Sequence, residues 1–181
     1  MLGGRPSFIV HQSALAAALV AHDARVHLLG PKGPRSLAVT GCSRRRRSTP
    51  RASTRSPPAR SSSRSSCRPP AQQRSTYAAA KEKQSHDWPL GEAAVHCRVD
   101  AGALRRAGRP GPRRADPWRA RARPKAVLFE GKAPTAALFV QAADAAFAKA
   151  KPLEHNGYKI PLTKGLLRDA LHRATGIPMP E

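Results

Sequence analysis

Pro134 to Gly176 reads PTAALFVQAADAAFAKAKPLEHNGYKIPLTKGLLRDALHRATG, and it is the longest stretch in which apolar spacing, caps and propensity agree. Pro134 and Thr135 form a cap and first turn, after which Leu138, Ala142, Ala145 and Lys149 recur at helical spacing, so a helix to about Ala150 is predicted. A second helix is predicted from Leu162 or Thr163. It carries Leu166, Leu167, Ala170, Leu171 and Ala174 on one stripe and Arg168, Asp169, His172 and Arg173 outside, with Gly176 and then Pro178 as its stop. Two amphipathic helices in succession require an apolar layer to cover.

Composition limits that layer. The chain has 181 residues, the length of one ordinary domain, and is 40% hydrophobic but only 4% aromatic. The apolar share leans on alanine, which buries little area per residue, so a small core is expected. There are 33 Lys and Arg against 11 acids, a formal net charge of +22, and this excess gives salt-sensitive, non-specific attachment to nucleic acid. Cys42, Cys67 and Cys97 lack metal-ligand spacing and are odd in number, which fits free thiols in a reducing compartment. With no signal-like or membrane-length apolar run, a cytoplasmic location and no membrane partner are expected.

Upstream, Ser7 to Val10 is a short strand candidate. Gln12 or Ser13 can cap a helix over Ala14 to Ala21, with Leu15, Ala18 and Leu19 on its apolar side. Ala24 to Leu29 and Ser36 to Val39 flank a turn rich in glycine and proline, Gly30 to Arg35, and read as a hairpin. Residues 44–74 hold ten arginines, eight serines, five prolines and no acid, a composition that predicts disorder. Ala93 to Val99 reads as a strand, residues 100–124 lose periodicity again, and Ala126 to Phe129 restores an apolar run. Nothing at defensible spacing forms a Ser-His-acid or Cys-His set, and His11 has no metal-ligating partner.

Several of these segments resemble one family. Glu130 to Thr135, the two C-terminal helices and especially His155-Asn156-Gly157-Tyr158-Lys159-Ile160-Pro161-Leu162 resemble the C-terminal domain of the FAD-binding subunit of molybdenum hydroxylases, the group of xanthine dehydrogenase, aldehyde oxidoreductase and carbon monoxide dehydrogenase flavoproteins. Gly4 to Ser7 with His11 to Leu19 and Asp23 to Val26 is similar to that family at a second place, Arg74 to Tyr77 running to Asp87-Trp88 at a third, and Pro117 to Ala120 at a fourth.

The resemblance implies an α+β fold, a small antiparallel sheet of three or four strands packed with helices and interrupted by disordered arginine-rich segments. The implied organisation is a remnant of the FAD-binding domain over 1–40, a disordered Arg/Ser/Pro-rich segment over 41–74, the C-terminal-type domain over 75–176 with 100–124 poorly ordered, and a tail over 177–181. It also implies FAD as cofactor, a molybdopterin-binding large subunit and an iron-sulfur small subunit as partners, and electron transfer from the clusters through the flavin to an acceptor. Ser13, Tyr77, Lys81 and Lys83 are the cofactor-binding candidates. Ser13 alternatively caps the first helix, and Tyr77 and Trp88 alternatively fill the core.

The departures from the family are specific. Its glycine-threonine loop for the diphosphate and its later glycine-rich segment would both lie before Met1, Ala14 stands where the family has an aspartate, and Gln12 where it has a proline. The family's lysine near the tyrosine falls on Ala79. Arginine-, serine- and proline-rich text between two recognisable ends is also what a shifted reading frame in a GC-rich gene produces. The expectation is therefore a chain that binds FAD poorly or not at all by itself and is inactive alone.

Overall fold

A computed structural model describes residues 14–39, 61–67, 73–83, 88–106 and 131–180. The first element is α1, Ala14–Ala21, as its run of alanine and leucine dictates. It closes with Ala24 N–H bonded to the Leu19 carbonyl (2.9 Å), and Asp23 takes a left-handed φ of 48°, a conformation that the short polar aspartate tolerates better than most residues. The stripe differs from expectation: Ala16 is the buried residue, whereas Leu15 is 68% exposed.

Strands β1 (Arg25–Gly30) and β2 (Gly33–Ala38) form the expected antiparallel hairpin around a two-residue Pro31-Lys32 turn. Its second strand starts earlier than predicted, because Gly33 adopts φ 88° and turns the chain directly back into the ladder. On the other edge of β1 lies β3, Ser61–Ser66, also antiparallel, with a bulge between His27 and Leu28. This corrects the expectation of disorder at Ser61–Ser66. The chain there pairs through backbone groups that any residue except proline possesses, so the apolar alternation on which a sequence reading depends is not required.

The second sheet contains β4 (Gln73–Ala80), β5 (Gly91–Asp100) and β6 (Ala103–Arg106), all antiparallel and in that order. The described residues therefore form two three-stranded sheets, and not one sheet of three or four strands. β6 also lies in a segment expected to be poorly ordered. Ala101 and Gly102, at φ 48° and 76°, form a two-residue turn of the kind that matches strand twist, and this carries Leu104 back under the helices, where it is 2% exposed. Lys132 and Gly131 then cover β6: Leu104 N–H bonds the Lys132 carbonyl (2.8 Å) and Gly131 N–H bonds the Leu104 carbonyl (3.0 Å).

Two helices complete the layer. α2 spans Ala136–Phe147, with Thr135 Oγ1 accepting from Leu138 N–H at 3.2 Å as its cap. Its buried face is Leu138, Phe139, Ala142 and Ala143, one position round from the predicted Leu138, Ala142, Ala145, Lys149 stripe, because Phe139 supplies the bulk. α3 spans Lys159–Thr175 and starts before the predicted Leu162. Pro161 is tolerated there because it occupies the first turn, where a backbone N–H has no intrahelical acceptor. Gly176, at φ 76°, ends the helix, with its N–H on the His172 carbonyl.

α3 lies across β4 and β5, and α2 packs on α3. Close approach is set by Gly91, where an added Cβ would stand 2.7 Å from Thr163 Oγ1. Ala78, Ala93, Val95, Cys97 and Leu104 meet Leu138, Phe139, Leu167, Ala170 and Leu171 in one cluster. His172, expected outside, is 2% exposed. Its ring meets Phe139 edge to face with centroids 4.8 Å apart, and Nδ1–H donates to the Ile177 carbonyl at 3.0 Å. The residues after the helix, which spacing cannot assign to it, supply the acceptor for Nδ1, while Nε2 is buried without a hydrogen-bond partner. The expected strands over 7–10 and 126–129, and all of residues 41–60 and 107–130, lie outside the described residues.

Candidate functional site

Strand alternation divides the C-terminal sheet into two faces. Ala78, Val95 and Cys97 point to the helices, so Tyr77, Glu92 and His96 point the other way. α1 reaches this second face: the His22 and His96 rings stack with centroids 4.0 Å apart at 28°, and His96 Nδ1–H donates to the Ala21 carbonyl at 3.3 Å. The contact between α1 and β5 therefore brings two imidazoles together. Burial, and next the neighbouring His22, push the His96 imidazole below its ordinary pKa, while the Ala21 carbonyl and Asp23 oppose this.

Tyr77 lies on β4 and donates its hydroxyl to Glu92 Oε2 at 2.9 Å. Burial, then this bond and the carboxylate charge, raise the phenol to about 12. It is 42% exposed, and Trp88 is 61% exposed, so neither fills the core as expected. On the helix side, burial raises the Cys97 thiol, partly opposed by Arg74. Arg74 Nη1 also donates to the Thr175 carbonyl at 3.2 Å, where the negative end of α3 favours a cation.

Of the four cofactor-binding candidates, Ser13 lies outside the described residues. Tyr77 is in the strand, whereas Lys81 and Lys83 follow its end and are exposed. At about 3.3 Å of rise per residue, Tyr77 and Lys81 stand roughly 13 Å apart along the chain. The sequence reading missed Glu92, His22 and His96. The alternation of Val95, His96 and Cys97 marks His96 as facing away from the core, but its partner is far away in sequence and carries no local signal.

The described residues do not fit a flavin dinucleotide. A diphosphate requires convergent, unengaged backbone N–H groups at a glycine turn or helix N-terminus. Gly33 and Gly102 serve hairpin turns, and Gly176 ends α3. At the start of α3, Lys159 N–H bonds the Asn156 carbonyl and Ile160 N–H the Gly157 carbonyl, and Pro161 has none to give. A groove of about 310 Å³ on the hairpin is lined by His27, Leu28, Leu29, Pro34, Arg35 and Ser36, whose permanent charge is Arg35 alone.

Among the described residues no three His, Cys, Asp or Glu side chains group to hold a metal ion, and no helix is long and apolar enough to cross a membrane. No protein-family model matches the chain, and no curated protein matches it. Solved structures do. The chain is similar to carbon monoxide dehydrogenase from Hydrogenophaga pseudoflava, with TM-score 0.63, 21% identity and coverage of 89% of this chain and 55% of that one. It is similar to the reconstituted CO dehydrogenase from Oligotropha carboxidovorans, at 0.62, 20%, 91% and 57%. Quinoline 2-oxidoreductase from Pseudomonas putida 86 matches at 0.65, 17%, 90% and 55%. The α+β fold, small antiparallel sheets packed against helices, is thus similar to that of chains in these CO dehydrogenase and quinoline 2-oxidoreductase structures, and the chain spans a little over half the length of the chains it matches.

Proposed function

We propose that the chain is the scaffold part of an FAD-linked electron-transfer subunit of a molybdopterin-dependent hydroxylase. It assembles with a molybdopterin-binding large subunit and an iron-sulfur small subunit, and by itself holds FAD weakly. What supports this reading is a fold likeness over about nine-tenths of the chain. In such a subunit FAD supplies the one- and two-electron steps between iron-sulfur clusters and an acceptor. In this chain the β4–β6 sheet packs with its two helices and α1 contacts β5, and Ser13, Tyr77, Lys81 and Lys83 are at most its contributions beside a flavin held elsewhere. The arginines of residues 44–74 attract phosphate by charge alone.

Co-expression with the large and small subunits of a CO dehydrogenase of this fold, followed by size-exclusion chromatography, tests assembly. Co-elution in fixed ratio is expected. A chain that elutes instead as a ribonucleoprotein of defined stoichiometry at high salt overturns the proposal in favour of nucleic-acid binding, for which the +22 charge is the motive. Flavin titration of the isolated, nucleic-acid-free chain tests the cofactor reading. Stoichiometric binding tighter than about 1 μM, equivalent to about 8 kcal/mol, overturns it.

A further inference from the structure

The stacked histidines occupy an unusual position. His22 is the first residue after α1, His96 lies in the middle strand of the other sheet, and the two rings meet face to face with centroids 4.0 Å apart. Neutral imidazoles stack with little electrostatic cost, whereas two imidazolium ions at this spacing repel and each loses water on the contacting face. The other groups around the pair give only partial relief. From the turn after α1, Asp23 favours the protonated His96 ring, and the Ala21 carbonyl accepts its Nδ1–H. From the sheet, the Glu92 carboxylate is occupied by the Tyr77 hydroxyl, and Arg98 and Asp100 pair with each other at 2.7 Å.

We propose that the His22–His96 stack is a pH-dependent latch that holds α1 against the C-terminal sheet when the His96 ring is neutral and loosens it when that ring takes up a proton. The sign follows from the lowered pKa of docked His96. The undocked ring, near its ordinary value of about 6.5, binds more protons than the docked one, so docking is complete above that pH and weakens as pH falls below it.

Hydrogen exchange of the full chain between pH 7.5 and 5.5, corrected for intrinsic exchange rates, tests the latch. The expected result is a several-fold loss of protection in Ala14 to Ala24 at the lower pH, with α3 unchanged. In His96→Gln, this pH dependence disappears while protection at pH 7.5 is retained. Imidazole NMR titration of His22→Gln supplies an independent measurement at the intact His96: its midpoint rises when the neighbouring charge is removed. An unmoved His96 midpoint, or the same pH-dependent loss of protection in His96→Gln as in the parent, overturns the latch.

Discussion

The two sheets of the molecule have the same plan, three antiparallel strands each, but differ in what packs against them. In the C-terminal unit, α2 and α3 bring Leu138, Phe139, Leu167 and Leu171 onto the alanine, valine and cysteine of β4 and β5. In the N-terminal unit the buried apolar side chains are Ala16, Ala24 and Val26, and β3 is serine and arginine throughout. Hydrogen-bond ladders shape both units; apolar burial separates them, because backbone bonds exchange one partner for water at small net gain while buried methylenes add about 0.8 kcal/mol each.

Four measurements can break or sharpen this contrast. The largest effect is expected from Phe139→Ala, which empties the centre of the C-terminal core and costs about 3–5 kcal/mol in denaturant unfolding followed through α3. Loss of protection confined to the N-terminal sheet would contradict the contrast. Val26→Ala removes two methylene equivalents from the smaller unit, about 1.6 kcal/mol. Amide exchange should accelerate in β1 to β3 and leave α3 unaffected.

A gain is expected from Ala101→Gly. Ala101 has φ 48°, and relieving this left-handed strain, less the added chain entropy of glycine, stabilises the β5–β6 turn by about 0.5–1 kcal/mol, seen as a raised denaturation midpoint.

The smallest effect is the pH dependence carried by Tyr77. Its phenol is raised from 10.0 to about 12, so the unfolded chain loses this proton first, and the tyrosine's contribution is intact below pH 10 and lost as pH rises toward 12. Tyrosinate absorbance should show its midpoint falling toward 10 in Glu92→Gln, and an unchanged midpoint would remove Glu92 from the account.

What could be read from the sequence was whatever depends on near neighbours. Thr135 as a cap, Gly176 as a stop, the Leu167-Ala170-Leu171-Ala174 stripe, the Ala14–Ala21 helix and the hairpin before Ala38 all depend on residues within a turn or two of one another. At the candidate site, the outward direction of Tyr77 and His96 was implicit in strand alternation, but the Glu92 and His22 contacts were not.

Tertiary structure decided the rest. Residues 61–66 became a strand because β1 offered an open edge, Leu104 was drawn under helices more than thirty residues away, and His172 was buried because Phe139 and the Ile177 carbonyl met its ring. A helix satisfies its backbone from within and so writes its period into the sequence, whereas a strand's partner and a buried polar group's acceptor are chosen by whatever the chain brings alongside.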